Sequence, residues 1–227
     1  MNLLERLPDE SNRGYTYRTI KTNIMNLTLF PGMGIGEVEL SEMLSLSRTP
    51  IREALILLEK EKLIDILPKR KSRVSFIQLK LAYDAIFMRE ALEKEIIHEA
   101  CEKINQKHLS HLESNLEIQK SLLFQGENYS SFHHLDNLFH SIIYESVQKK
   151  SIWDTIENMS THYNRLRQLD AIKNISLSDI VKQHEELIEI IRTKNHAAIN
   201  PFVNTHLRNI FQKIDDVQAE FKAFICD

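Results

Sequence analysis

From Gln78 onward, apolar residues recur every three to four positions, and no stretch alternates apolar with polar. That period belongs to helices with one buried face. About 150 residues of it can fold only as helices packed on helices. Polar breaks at Gln125-Gly126-Glu127-Asn128, Gln148-Lys149-Lys150, around Asn174-Ile175-Ser176 and at Lys194-Asn195 divide the run. They predict helices over about 79–103, 107–124, 129–148, 151–168, 176–193 and 196–222, an all-α antiparallel bundle of about six helices. Five glycines and five prolines are too few for an all-β chain rich in tight turns.

The first 77 residues read differently. Tyr17, Ile20, Ile24 and Leu27 mark a helix over Tyr15 to Leu27, ended by Pro31-Gly32-Met33-Gly34. A short helix follows over Glu37 to Leu44. After the turn Ser45-Leu46-Ser47, a third helix runs from Arg48 to about Glu61. Ser47 stands at its N-cap, Pro50 lies in its first turn, and Ile51, Ala54, Leu55 and Leu58 face inward. Leu63 to Ile66 and Arg73 to Phe76 read as two short strands around the cationic tip Pro68-Lys69-Arg70-Lys71-Ser72. Helix, helix, turn, helix and hairpin is the order of a winged helix-turn-helix. The fold class is thus mainly α, with a winged domain over 1–77 and a helical domain over 78–227.

Charge divides at the same place. Residues 1–77 carry 12 Lys and Arg against 10 Asp and Glu, and residues 78–227 carry 17 against 22. All ten histidines lie at or after His98. No run of 18 apolar residues could span a bilayer, and the first residues lack the pattern of a secretory signal. Cys101 and Cys226 are far apart and match no metal spacing, which fits a reducing, cytoplasmic setting.

Three helices of the bundle aim ionisable groups at their apolar faces. Asp136 and His140 are one turn apart on a face that also carries Phe132, Phe139 and Ile143. His184 falls on the stripe of Ile180, Val181, Leu187, Ile188 and Ile191. His206 falls on that of Ile199, Val203, Ile210 and Ile214. Each histidine alone is accounted for by a structural role, and Asp136 alone by pairing with an arginine or lysine. Together they form an N₃O set suited to zinc first, then nickel, manganese or iron, with positions open for a ligand oxygen. His133, His134 and His196 lie off this set. Arg89 lies on the stripe of Ala82, Ala85, Ile86, Leu92 and Ile96. It calls for an anion, either a helix carboxylate such as Glu93 or the carboxylate of an effector. Tyr163 and Arg167 are weaker effector-binding candidates.

Ser47-Arg48-Thr49-Pro50-Ile51-Arg52-Glu53-Ala54-Leu55, preceded by Pro31-Gly32 and a Glu-x-x-Leu-Ser-Glu helix, resembles the DNA-binding domain of the GntR family at every position of the block. Arg89-Glu90-Ala91-Leu92-Glu93, Asp136-Asn137-Leu138-Phe139-His140, Gln183-His184-Glu185 and His206-Leu207 resemble the ligand domain of its FadR-type branch, the FCD domain. Together the resemblances span about Tyr15 to Phe221. They imply a homodimeric, cytoplasmic transcriptional regulator that binds a palindromic double-stranded DNA operator and is not an enzyme. A small organic acid at or near a divalent metal would modulate it.

Ser47, Arg48, Thr49 and Arg52 would then lie at the groove-reading end of the third helix, with Lys69, Arg70, Lys71 and Arg73 on the wing. The metal ligands implied are Asp136, His140, His184 and His206. The sequence departs from the family's habit at Val38, where many members carry Arg. It departs again at Lys62, where Gly commonly follows the recognition helix, and at Lys71, where wing glycines are usual. Three rivals remain. One is a repressor for which the metal is the signal, and another is a helical metalloenzyme. The third is a DNA reader whose second domain only dimerises. A lone Glu95-x-x-His98 and the lack of a His-Glu-x-x-His motif weigh against the enzyme.

Overall fold

The structure, a computed structural model, describes residues 1–67, 70–124, 129–173 and 177–226. The chain packs into two compact units. The first comprises Met1–Ala82, Thr161–Gln168 and Val217–Asp227, and the second comprises Tyr83–Ser160 and Leu169–Asp216.

In the first unit, α1 (Asn12–Met25) starts three residues before the expected Tyr15. Ser11 caps it, with Oγ accepting the Gly14 N–H at 3.1 Å. Then come β1 (Gly34–Ile35), α2 (Glu37–Leu44) and α3 (Arg48–Lys60). β2 (Ile64–Asp65) and β3 (Ser72–Val74) follow. Ile20, Ile24, Leu40, Ile51, Leu55, Leu58, Leu63 and Val74 close one core. The wing is a three-stranded antiparallel sheet in the order β1-β3-β2, pairing Gly34 with Arg73 and Ile64 with Val74. Its strands are shorter than expected, and β1 carries too few residues for alternation to reveal it. Gly32 turns the chain into this sheet at φ +84°, and a Cβ there would meet the Phe76 ring at 2.9 Å.

Two further segments complete this unit. β4 (Ile77–Gln78) pairs in parallel with β5 (Ile225–Cys226), and the Ile77 N–H donates to the Phe224 carbonyl at 2.9 Å. The all-helical expectation for the second half missed this strand. α8 (Thr161–Lys173) supplies His162 and Arg165. His162 Nδ1 accepts the Gln78 N–H at 3.0 Å, and its Nε2 donates to the Lys62 carbonyl at 3.1 Å. Arg165 is fully buried and donates to the Ser75 carbonyl at 2.9 Å and to Ser75 Oγ at 3.1 Å.

The second unit holds α4 (Leu79–Lys103) from Tyr83 onward, α5 (Gln106–Phe124), α6 (Tyr129–Ser146) and α7 (Lys150–Met159). α9 (Leu177–Thr193) and α10 (His196–Arg208) follow. α5 packs on α6 and α9, α6 on α7, and α9 on α10. The single helix expected over 151–168 is two, because Ser160 ends α7 and Thr161 opens α8 where the chain passes between units. The helix expected over 196–222 tightens into a 3-10 turn over Asn209–Lys213 before α11 (Ile214–Glu220). The expected breaks at 125–128 and 174–176 lie outside the described residues.

Among the described residues, five helices are followed by a left-handed residue that is not glycine. Leu27, Ser45, Lys62, Gln148 and Lys194 adopt φ of 61°, 53°, 60°, 62° and 54°. After α3, the Leu63 N–H reaches the Leu58 carbonyl and the Lys62 N–H the Glu59 carbonyl, each at 2.9 Å. This pair of bonds satisfies carbonyls the helix leaves open, and Leu58 packs with Leu63 beneath it.

Candidate metal centre and DNA-reading face

α6 carries Asp136 and His140, α9 carries His184, and α10 carries His206. One nitrogen from each histidine lies within 4.8 Å of those of the other two. His140 Nε2 is 3.2 Å from His206 Nε2, and His184 Nε2 is 3.5 Å from Asp136 Oδ1. The ring centroids form a near-equilateral triangle with sides of 5.5, 5.2 and 5.4 Å. Asp136, His140 and His184 are buried, and His206 is half-buried.

The outer nitrogens fix which nitrogen of His184 and His206 faces inward. His184 Nδ1 is 2.8 Å from Gln119 Oε1, and His206 Nδ1 is 2.8 Å from Gln183 Oε1. An amide oxygen only accepts, so each Nδ1 carries the proton and each Nε2 turns a lone pair inward. The orientation of Gln119 is fixed in turn, because its Nε2 donates to Asn115 Oδ1 at 2.6 Å. Burial first, and then the Arg89 charge, hold His140 well below the usual histidine range, so it is neutral. Its Nδ1 lies 3.7 Å from Glu93 Oε2. Neutral imidazoles beside a buried carboxylate are donors of the kind a divalent metal takes.

Arg89 is buried on α4, and its Nε donates to Glu93 Oε1 at 2.6 Å. This is the helix-carboxylate alternative weighed from the sequence. The Arg89 guanidinium lies 5.5 Å from the Trp153 ring centroid, and Trp153 stacks on His140 at 5.6 Å. Tyr163 and Arg167 are also buried, with the guanidinium 5.7 Å from the Tyr163 ring. They belong to the first unit, whereas Arg89 and the histidines belong to the second. A cleft of about 290 Å³ between α9 and α10 is lined by Gln183, Glu186, Phe202 and His206 among others. Sequence reasoning missed Gln119 and Gln183. The signal for Gln119 was an amide on the inward stripe with Leu112, Asn115 and Leu116.

On the first unit, Ser47, Arg48 and Thr49 are exposed at the start of α3, with Arg52 exposed one turn on. Ser47 holds the N-cap position in extended backbone, but its side chain makes no capping hydrogen bond. Arg52 binds Glu37 through two contacts, Nε–Oε1 at 3.0 Å and Nη2–Oε2 at 2.7 Å. Arg70 is exposed, and Lys71 pairs with Glu39. Arg73 is half-buried, pairs with Asp65 at 2.9 Å and lies 4.9 Å from the Phe76 ring. Lys69 lies outside the described residues.

Residues 14–74 match the family described as bacterial regulatory proteins, gntR family, and residues 84–209 match the FCD domain. An uncharacterized HTH-type transcriptional regulator in an unstable DNA locus of Streptomyces ambofaciens is 30% identical over 209 residues, 92% of this chain and 87% of that one. The HTH-type transcriptional repressor RspR of Escherichia coli K12 is 27% identical over 205 residues, 90% and 89% of the two chains. Among solved structures, E. coli McbR/YncC superposes with a TM-score of 0.76 at 19% identity, over 93% of this chain and 99% of that one. A putative transcriptional regulator GntR from Rhodococcus sp. RHA1 gives 0.72 at 16% identity, over 91% and 99%. Those two likenesses show the fold. With a GntR reading domain followed by an FCD domain, the chain belongs to the GntR family of bacterial regulatory proteins and is a DNA-binding transcriptional regulator, not an enzyme.

Proposed function

We propose that this regulator binds a palindromic operator as a cytoplasmic homodimer and that a small organic acid, held at or near a divalent metal, sets its DNA affinity. Residues 1–77 would read DNA and residues 78–227 would bind the effector and dimerise. Ser47, Arg48, Thr49 and Arg52 would enter the major groove, with Lys69, Arg70, Lys71 and Arg73 on the backbone or minor groove. Asp136, His140, His184 and His206 would hold the metal, zinc first and then nickel, manganese or iron. Arg89 would receive the acid's carboxylate; Tyr163 and Arg167, in the other unit, are separate and weaker effector-binding candidates.

The observation that carries this reading is the inward turn of the His184 and His206 Nε2 lone pairs, set by the buried Gln119 amide and the half-buried Gln183 amide. When bound, a metal there supplies a Lewis-acidic position for a carboxylate oxygen. The chain's own residues do the rest. Gln119 and Gln183 orient the rings, the burial of Phe139 and Trp153 excludes water, and Arg89 supplies positive charge. Phe87, 76% exposed, and Tyr83 one turn before it on α4 give an apolar surface suited to a second copy. The repressor named among the relatives supports a repressor reading for this chain.

One observation favours a second reading, in which the metal is itself the signal. Arg89 already binds a buried carboxylate of its own chain, Glu93.

Metal content of the purified protein, with melting curves for native protein and His184→Ala against a panel of metals and small carboxylic acids, tests the proposal. An acid that raises the melting temperature only in native, metal-loaded protein, and that shifts DNA affinity about 5–150-fold, supports it. A DNA affinity that follows chelation and no acid would establish the second reading. Metal-free protein that takes up no metal would end both.

A further inference from the structure

Glu37 closes one edge of the Arg52 guanidinium with two parallel charge-assisted hydrogen bonds. A guanidinium carries five N–H groups in a planar fork. Glu37 uses one on Nε and one on Nη2, so the opposite edge, from Nη1 to Nη2, keeps a parallel pair of donors. That pair has the spacing guanine O6 and N7 accept in the major groove. Glu37 is well suited to the task. It occupies the first turn of α2, where the helix dipole favours a carboxylate. The Arg52 hydrogen bond, foremost, holds its carboxyl below the usual range, so it is ionised at neutral pH. Both side chains reach the surface, Arg52 at 64% and Glu37 at 32% exposure. Val38, the exposed neighbour of Glu37, offers no hydrogen-bond donor of its own.

The geometry points to Glu37 as a specificity-determining positioning residue, which fixes one edge of Arg52 so that the other reads a single guanine in each half-site. Without Glu37 the fork is free to clasp whichever phosphate is near, which adds affinity for any sequence and subtracts discrimination. The inference rests on α3 being the groove-reading helix.

The test uses the full chain and a palindromic duplex selected by the native protein from a randomised pool. Fluorescence anisotropy then measures native protein, Glu37→Gln, Arg52→Ala and the double variant against every single-base change in that duplex. Replacing one guanine per half-site should weaken native binding about tenfold, within the range for a bidentate base contact. Both single variants should lose that penalty at the same position, keep the others, and gain nothing more when combined. For Glu37→Gln the salt dependence should also steepen by about one phosphate per protomer. If Arg52→Ala loses the guanine preference while Glu37→Gln keeps it, the positioning role is overturned and the base contact stands. If Arg52→Ala alters no position, the base contact itself fails. A uniform loss at every position in Glu37→Gln, with a lower melting temperature, would show a purely structural role and also overturn the inference.

Discussion

His140 Nε2 and His206 Nε2 lie 3.2 Å apart although 66 residues separate them in the chain. The far side of the His206 ring is tied to Gln183 and that of the neighbouring His184 to Gln119, while His140 Nδ1 lies 3.7 Å from Glu93 Oε2.

Removing an outer tie should therefore weaken the centre without touching a ligand. Gln119→Leu is expected to lower divalent-metal affinity about 10–100-fold, while Gln119→Glu, which still accepts from Nδ1, keeps it near native. Competition against a chromophoric chelator measures both. Equal affinities for native protein and Gln119→Leu would contradict the orienting role.

His162 predicts a pH dependence. Burial first, and then the Arg165 charge, lower its pKa from 6.5 to about 3. The unfolded chain binds this proton below about pH 6.5 and the folded chain only below about 3. Stability is thus fully present above the unfolded value and is lost as pH falls through that window, by up to about 1.4 kcal/mol per unit. In urea titrations at pH 7 and pH 5, native protein should lose more stability than His162→Gln. Parallel losses would show that His162 takes no part.

Arg165 is held by Ser75 at both the carbonyl and the hydroxyl. Arg165→Ala should destabilise the protein by roughly 3 kcal/mol through a cavity and an unpaired carbonyl. Arg165→Met, which restores volume but not hydrogen bonds, should lose roughly 1–2 kcal/mol. Thermal melts that rank Met below Ala would refute this division between packing and polarity.

Lys62 offers the opposite sign. It is an exposed lysine at φ +60° in a position that glycine fills without a Cβ penalty. Lys62→Gly should stabilise the protein by about 1 kcal/mol, read as a higher urea midpoint at unchanged slope. A lower midpoint would mean that the lysine side chain contributes more than the strain it carries.

That residue also shows where the sequence was legible and where it was not. The long periodic segments of α4, α5 and α9 appear within a residue or two of where their apolar stripes place them, because burial of a face is a signal spread over many residues. Helix ends depend on single residues. Lys62, Gln148 and Lys194 close their helices in a conformation that no glycine advertised, although polar breaks marked two of them. The division at Ser160 left no trace in periodicity, since α8 is buried all round from Thr161 to Arg167 and presents no single apolar face. The two-residue strands β1, β4 and β5 are invisible for the same reason that they exist, being made by pairing across the chain and not by local pattern. In the candidate site, Asp136, His140, His184 and His206 were legible as polar groups on apolar stripes. The amides that aim the rings were harder to read: Gln119 lies on an inward stripe but no spacing ties it to His184, and Gln183 is half-buried beside its own helix's apolar face.

The pairing of Ile225–Cys226 with Ile77–Gln78 has a consequence for biogenesis. The unit that leads the chain borrows a helix segment near position 165 and a strand near position 225, so it cannot be finished on the ribosome when its own first 82 residues emerge. The part that recognises DNA is translated first and completed last, and a nascent chain gains the last segment of that unit only after the second unit has been made.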